Sequence, residues 1–338
     1  MAHVAVTVSE RADPAVRRSG ARSLWSWLAQ ARTGGLLALA GVIALLPLLL
    51  SNNYFYEIAI LVALNAIVCV GLNLLIGYAG QISLGHAGFF ALGGYGSAIL
   101  SGSHGWPTWA SVPASCLVVA VLAFVLGRPT LRLKGHYLAM ATLGLGMIIS
   151  IVLSTEDRIT GGPDGMPVPA LLLFGWSVQG ERTWYWLVGA ALLLAVWLAL
   201  NLIESPPGRA LRALHGSEIA AETLGIDSAR YKLRVFVISA VFAAVAGALT
   251  AHYAGFITPA KASFMHSVEL VIMVVFGGMA SIFGAVLGAV ILTTLPQLLT
   301  VLKDYEMIVF GAVVIATMVF FPHGVVPTLQ RWLGRAGK

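Results

Sequence analysis

Apolar stretches of membrane-spanning length, almost free of charge, recur along this sequence and constrain its fold more than any other feature. Ten are present, at residues 34–50, 58–76, 82–100, 108–127, 136–153, 184–203, 235–256, 268–281, 283–300 and 306–321. Most approach the roughly 20 residues that a helix needs to cross a bilayer, whereas 268–281 is short and could be tilted, broken or re-entrant. Only 10% of the residues are charged, against about 25% in soluble domains. The sequence predicts an all-α polytopic membrane protein of about ten transmembrane helices (range 8–10).

The distribution of Lys and Arg predicts the orientation of these helices. If all ten segments cross and the N-terminus is cytoplasmic, 16 of the 20 Lys and Arg residues lie inside the cell and four lie outside. Basic residues gather on the cytoplasmic side of membrane proteins, so this split supports both the count and the orientation. The predicted regions are a cytoplasmic tail (1–33), a transmembrane domain (34–325) with an external loop (154–183) and an internal loop (204–234), and a cytoplasmic tail (326–338).

A faint internal repeat suggests an inverted arrangement of five plus five helices. Gly93–Ser97 reads GGYGS in the third segment, and Gly277–Ser281 reads GGMAS in the eighth. By the count above these two segments run in opposite directions, as an inverted repeat requires. Glycine-rich helices also produce such short matches by chance, so the sequence only suggests the repeat.

The predicted spans lack the groups on which membrane chemistry usually depends. None holds an Asp, Glu, Lys or Arg in its interior, and Glu57, Glu269 and Glu306 lie at or near segment ends. Coupling to an ion gradient is therefore disfavoured, because such carriers usually bury ionisable groups. The motif G-x-x-x-x-G-K-[ST] is absent, so any ATP must be bound by another subunit. No cluster of metal ligands or catalytic side chains lies at membrane depth, and Cys69 and Cys116 are expected to be buried core residues, so an enzyme is not predicted.

The internal loop contains two short helical patterns. The first, over residues 209–215, follows Pro206-Pro207-Gly208 and places Arg209 and Arg212 opposite Leu211 and Leu214. Gly216 ends this pattern.

The second pattern is a helix over 218–224, with Ser217 suited to its N-cap and Gly225 to the residue beyond its end. One face carries Ile219, Ala220, Thr223 and Leu224, and the other carries Glu218 and Glu222. A small amphipathic helix of this kind suits docking into the groove of a partner protein or, equally on pattern alone, lying on the membrane surface.

A second candidate site is the glycine-rich stretch 71–96. It places four uncharged polar residues at membrane depth, namely Asn73, Gln81, Ser83 and His86. They could line a path for a neutral or zwitterionic solute. For each residue taken alone, the simpler interpretation is a packing helix whose polar groups bind neighbouring backbone.

Three stretches of the sequence resemble the permease subunits of bacterial branched-chain amino-acid ABC importers. Around residues 73–97 the chain reads LNLLIGYAGQISLGHAGFFALGGY, over 208–249 it begins GRALRALHGSEIAAETLG, and within 274–292 it reads GGMASIFGAVLGA. The external TGGPDG at 160–165 and the FFPHG at 320–324 resemble the M-type subunit rather than its H-type partner. The similarity runs from about residue 54 to 325, and this combination of motifs is specific.

The resemblance implies a transport subunit without covalent chemistry and without a cofactor of its own. It implies a heterodimer with a homologous H-type permease, two cytoplasmic ATPase subunits that hold ATP and magnesium, and a periplasmic binding protein that delivers leucine, isoleucine or valine. The location implied is the bacterial inner membrane, and no nucleic acid is expected as a partner. The coupling segment implied by the resemblance and by the loop pattern comprises Arg209, Arg212, Ser217, Glu218, Ala220, Ala221, Glu222, Leu224 and Gly225. The motif residues of the periplasmic loop are Thr160, Gly161, Gly162, Asp164 and Gly165.

Alternatives remain open at this point. Similar permeases import urea, short amides or aromatic acids, and a path without fixed charge fits urea as well as an amino acid. A stand-alone carrier or channel is a different class, against which the missing intramembrane charges count. The sequence also departs from many of its relatives at Ala280, where they have Gly, and at His323, where they have Arg; neither position is expected to touch a transport motif.

Overall fold

The computed structural model describes residues 24–49, 52–131, 133, 135–173, 175–299 and the isolated residues 311, 312, 315, 324 and 328. Its helices are α1 (Leu24–Leu49), α2 (Asn53–Asn73), α3 (His86–Gly102), α4 (Thr108–Thr130), α5 (His136–Thr155), α6 (Asp157–Thr160), α7 (Glu181–Glu204), α8 (Pro206–Gly216), α9 (Glu218–Thr223), α10 (Ser228–Ala254), α11 (Phe264–Gly277) and α12 (Ile282–Leu299). The two-residue strands β1 (Met166–Pro167) and β4 (Phe256–Ile257) pair antiparallel, as do β2 (Leu172–Leu173) and β3 (Trp176–Ser177). The all-α prediction is confirmed.

Nine of the ten predicted segments coincide with helices in the described part of the chain. The tenth, 306–321, lies outside the described residues apart from 311, 312 and 315, as do most of the tails 1–33 and 326–338. Within the described ranges, six helices are long and apolar enough to cross a membrane, namely α2 with its extension to Tyr78, α4, α5, α7, α10 and α12. Shorter apolar helices run over Thr33–Leu48 and Phe264–Gly277. The chain is therefore a polytopic membrane protein.

Several helices begin at other residues than the apolar segments predict, and α1 and α11 show why. Helix α1 begins at Leu24, inside the predicted tail, because the alanines and leucines before Gly34 favour helix although the segment is not apolar enough to be read as a span. Helix α11 begins at Phe264, where Ser263 Oγ accepts a hydrogen bond from the His266 N–H. Glu269 consequently lies in the second turn of α11, near the start of the helix.

Helices α2 and α10 form the centre of the bundle. In the most apolar stretch of 18 residues in each long helix, 72% of the residues are buried in α2 and 56% in α10, against 28–39% in the other four helices. Helix α10 packs on α3 at very short range, since a Cβ atom placed on Gly93 would lie 2.4 Å from Ala244 Cα. Small residues permit this approach, and close packing of helices replaces the hydrophobic effect as a source of cohesion within lipid.

The chain leaves helical structure at two breaks inside the bundle. The first break, residues 80–85, follows a π-helical turn (Leu74–Tyr78) that extends α2, and the second break, residues 278–281, separates α11 from α12. Helix α11 has 14 residues and is about 21 Å long, which is too short for a hydrocarbon core of about 30 Å. The predicted segment 268–281 is thus a broken helix, one of the forms expected.

The suggested inverted repeat stays a prediction. Its two motifs differ in local structure, because Gly93–Ser97 lies within α3, whereas Gly277–Ser281 forms the end of α11 and the second break. Cys69 and Cys116 are free and buried, as expected.

Candidate functional site

Helix α8 begins the internal loop and is fastened to the end of α7 by its two arginines. Arg209 Nη1 donates to the carbonyl oxygen of Glu204 and Arg212 Nη2 to that of Ile203, each at 3.2 Å. These carbonyls belong to the last turn of α7, which has no further intrahelical donors and attracts positive charge. Leu211 on the other face of α8 is buried. The predicted two-sided pattern is present, and the arginines act as C-caps.

Helix α9 forms where the sequence predicts it. Ser217 Oγ accepts a hydrogen bond from the N–H of Ala220 at 3.3 Å, the geometry of an N-cap. The helix ends at Thr223, and Gly225 has the left-handed φ of +83° expected of the residue that turns the chain away. Asp227 caps the following α10 in the same way, accepting from the N–H of Arg230.

The orientation of α9 is set by its acidic side chains, which turn back toward α10. Glu218 Oε1 lies 2.8 Å from Lys232 Nζ, and the Glu222 carboxylate accepts a hydrogen bond from the hydroxyl of Ser228. The two large aliphatic side chains are exposed, Ile219 by 76% and Leu224 by 80%, whereas Ala221 is buried. An exposed pair of large aliphatic side chains on a helix held from behind is the arrangement of a docking surface.

The α8–α9 unit touches the first break. A Cβ atom placed on Gly80 would lie 3.0 Å from His215 Nδ1, and α8 also packs on the π-helical turn of residues 74–78. The internal loop is therefore in direct contact with the broken helices of the membrane domain.

Asn73 joins the end of α2 to the second break. Its Nδ2 donates to the carbonyl oxygen of Ser281 at 2.7 Å, and its Oδ1 accepts from the N–H of Ala280 at 3.0 Å. Tyr78 adds a third bond by donating from its hydroxyl to the carbonyl oxygen of Ala280 at 2.7 Å. Backbone that leaves a helix inside a membrane must find such partners, because lipid offers none. We call these three bonds the Asn73 clasp.

The clasp depends on close approach and on an unusual backbone. A Cβ atom on Gly77 would lie 2.2 Å from the backbone nitrogen of Ala280, so only glycine fits there. Ala280 itself has φ of +60°, the one non-glycine residue with positive φ among those described. The expectation that Ala280 touches no transport motif was wrong, since its N–H binds Asn73, one of the four residues suggested for the solute path.

The other predicted path residues lie near the first break, and all are buried. His86 bonds Ser83 Oγ through Nδ1 at 2.9 Å and Ser239 Oγ through Nε2 at 2.7 Å, so that both ring nitrogens are used. Gln81 is only 3% exposed, yet neither polar atom of its side-chain amide has a hydrogen-bond partner within the part of the chain that the structure describes. Asn73, Ser83 and His86 thus have structural partners, and Gln81 alone of the four has an amide free for a ligand.

The motif of the predicted external loop shapes the other end of the bundle. Thr160 is buried and donates to the carbonyl oxygen of Leu153 at 2.8 Å, and Gly161, Gly162 and Gly165 all have positive φ. The turn delivers the chain into β1, which pairs with β4 just beyond α10, while Asp164 stays exposed. The motif TGGPDG therefore contributes to the fold of this loop.

Three contributors to these arrangements were not predicted as site residues, namely Lys232, Ser239 and Ala280. Lys232 lies 14 residues from its partner Glu218, and Ser239 and Ala280 lie more than a hundred residues from His86 and Asn73, so that only the packing of helices brings each pair together. Among the described residues, no group of three His, Cys, Asp or Glu side chains could hold a metal ion.

Comparison with known proteins identifies the family of this chain. The family model for the permease component of the branched-chain amino acid transport system matches residues 54–318. The high-affinity branched-chain amino acid transport system permease protein LivM of Salmonella typhimurium is 36% identical over 254 residues, which cover 68% of this chain and 60% of that relative's length. The permease protein LivH of the same system and organism is 28% identical over 238 residues, 64% of this chain and 75% of LivH. The autoinducer 2 import system permease protein LsrC of Salmonella paratyphi B is 27% identical over 225 residues, 62% of this chain and 63% of LsrC. No solved structure matches this chain.

Proposed function

The chain belongs to the family of branched-chain amino acid transport system permeases, and from that premise we propose that it is a membrane-spanning subunit of an ATP-driven importer of branched-chain, hydrophobic amino acids. In this proposal it forms part of the translocation path and catalyses no covalent reaction. ATP and magnesium are bound by two separate ATPase subunits.

The observation that carries the proposal is the surface of α9. Glu218 and Glu222 hold this helix to α10, and Ile219 and Leu224 remain exposed as an apolar pair. A helix that lies on a cytoplasmic membrane surface usually carries Lys and Arg, because that surface is anionic. Helix α9 reads EIAAET and has no basic residue, so a protein groove is the better partner. Helix α9 contacts α10 and, through α8, the first break. These contacts would transmit a movement of an ATPase subunit to the broken helices.

The remaining partners follow from the relatives. LivM and LivH are both named as permease proteins of one transport system, and this chain resembles both. We therefore propose an H-type permease as the second membrane subunit and a periplasmic binding protein that delivers the solute. The proposed location is the bacterial inner membrane, with both termini cytoplasmic.

A combined purification and substitution experiment tests this proposal. The tagged chain is expressed in its native background and isolated in mild detergent, and we expect a homologous permease and two ATPase subunits to be recovered with it. Ile219→Asp combined with Leu224→Asp should release the ATPases, because carboxylates cannot enter an apolar groove, and should leave the second permease bound.

Ala213→Asp combined with Ala229→Asp is the matched control, since it adds the same two charges at exposed positions of the flanking helices α8 and α10, outside α9. Retention of the ATPases by the double variant would overturn the docking role of α9. Recovery of the chain alone, as a homo-oligomer that takes up solute without ATPases, would instead support a stand-alone carrier.

A further inference from the structure

A cleft of about 420 Å³ lies at the end of the bundle that carries the loop 154–183. Residues from α2, α3, α7 and α10 and from the segment after α10 line it, so that it sits where several helices begin or end. Its volume falls in the range of about 300–1,000 Å³ that is typical of small-molecule sites.

Charges of both signs face this cleft. Glu57 comes from near the start of α2, Glu181 from the first residue of α7 and Lys261 from the short turn after β4. Within the described part of the chain, neither Glu57 nor Lys261 is in an ion pair. Both charges are therefore available to a ligand that enters.

A tyrosine holds one of the two carboxylates in place. Glu181 Oε2 accepts a hydrogen bond from the Tyr253 hydroxyl at 2.6 Å, which fixes the orientation of the carboxylate. Glu57 lines the same cleft. The cleft thus has an acidic side that retains unused lone pairs and could accept an ammonium group.

The rest of the wall is mostly apolar. Leu61 from α2, Phe90 from α3 and Ile257 from β4 face the cleft, and the last two side chains are almost wholly buried. Such a surface gains free energy when it covers an aliphatic side chain and excludes water from it.

We propose that this cleft binds the zwitterion of an α-amino acid with an apolar side chain. The ammonium group of the ligand meets Glu57 and Glu181, its carboxylate meets Lys261, and its side chain lies on the apolar wall. The proposal rests on the proposed function and narrows it, because urea and short amides carry no charges for these groups to recognise. It makes this cleft a receiving site at the predicted external end of the path.

The test uses the complete transporter in lipid nanodiscs without its binding protein, and three ligands that differ only in their charged groups. Leucine has both, leucinol lacks the carboxylate, and isocaproate lacks the ammonium group. Saturation-transfer NMR should show that leucine binds more tightly than either analogue. Lys261→Met should weaken the binding of leucine about tenfold and leave the binding of leucinol unchanged. Lys261→Arg should retain leucine binding.

Glu57→Gln should weaken the binding of leucine and of leucinol but not that of isocaproate. Arg158→Met, which removes an exposed charge from the same end outside the cleft, should change nothing. Equal binding of leucine and leucinol to the wild-type transporter, or an unchanged leucine affinity in Lys261→Met, would overturn the proposal.

A separate measurement of uptake, with the binding protein present, distinguishes failure of the cleft proposal from failure of the proposed importer function. Leucine uptake by a wild-type transporter that lacks the predicted ligand discrimination would leave the proposed function standing and reject the cleft. Absence of any ATP-dependent amino-acid uptake would reject the function itself. A Lys261→Met variant that binds leucine normally but has lost affinity for the binding protein would identify the cleft as a docking surface and overturn the proposal.

Discussion

The amide oxygen of Asn73 accepts a hydrogen bond from the backbone N–H of Ala280 at 3.0 Å, across 207 residues of sequence. This bond fastens the end of α2 to the break between α11 and α12, next to the π-helical turn on which α8 packs. The internal loop, the end of α2 and both broken helices are consequently in one continuous chain of contacts. A movement of α8 and α9 could reach the membrane domain by this route.

Replacement of Asn73 by Leu should destabilise the protein strongly. The Ala280 N–H and the Ser281 carbonyl would lose their partner in a partly buried setting, at about 0.5–1.5 kcal/mol each. Thermal unfolding of the purified protein measures the effect. Asn65→Leu on the same helix is the control, because in the described part of the chain its amide bonds only to the hydroxyl of Thr293, so the loss should be smaller. Equal losses in the two variants would show that the clasp is not a special contact.

Replacement of Ala280 by Gly should stabilise the protein by about 1 kcal/mol, since the left-handed conformation costs an L-residue about 1–2 kcal/mol and costs glycine nothing. The same thermal unfolding experiment detects this as a higher midpoint. Ala285→Gly, at a buried position inside α12, should lower the midpoint, because glycine weakens a helix interior. A lower midpoint for Ala280→Gly would contradict the positive φ.

Replacement of Gln81 by Leu separates a role in packing from a role in transport. The amide of Gln81 is buried without a partner, and removal of an unsatisfied buried group of similar size should raise stability by roughly 1–3 kcal/mol. If the amide lines the solute path, uptake should fall in spite of the gain in stability. Parallel measurements of unfolding and of uptake in proteoliposomes are needed, and unchanged uptake would remove Gln81 from the path.

Replacement of Lys232 by Met should loosen α9. The side chain of Lys232 is 11% exposed and that of Glu218 is 26% exposed, so the pair is partly shielded from water and the substitution removes a contact that holds α9 to α10. We expect faster amide hydrogen exchange over residues 218–223 and uptake reduced several-fold, with Lys232→Arg close to wild type.

Arg230→Met provides the control for the Lys232 variant. It removes the same charge from the first turns of α10, at an exposed side chain without an ion pair in the described part of the chain. Exchange rates that rise equally in both variants would mean that the charge of the loop, and not the Glu218–Lys232 pair, holds α9.

Much of the fold and part of the site could be predicted because they depend on local patterns. The apolar runs anticipated nine helices in the described residues, and Ser217 and Gly225 marked the bounds of α9 to within one residue. Caps and helical faces are set by neighbours three or four residues apart, so the sequence carries that information directly. The start of α11 was misplaced because His266 and Ser267 interrupt the apolar pattern of its first turn, although Ser263 caps the helix.

The family could be inferred from the resemblance of three stretches of the sequence, and the membrane-spanning character from composition, because lipid demands long apolar helices. The separation of transport from ATP hydrolysis stays a prediction, which rests on the absence of G-x-x-x-x-G-K-[ST] from the sequence. Only the tertiary structure decided which polar side chains have hydrogen-bond partners. Asn73 and His86 are bound to Ala280 and Ser239, which lie more than a hundred residues away, while Gln81 has no partner for its side-chain amide among the described residues. The same holds for the cleft, where Glu57 and Glu181 near the starts of two helices converge with Lys261 from the turn after β4. Contacts of this kind depend on the rotation and crossing of helices, which apolar faces in lipid do not encode in any local pattern.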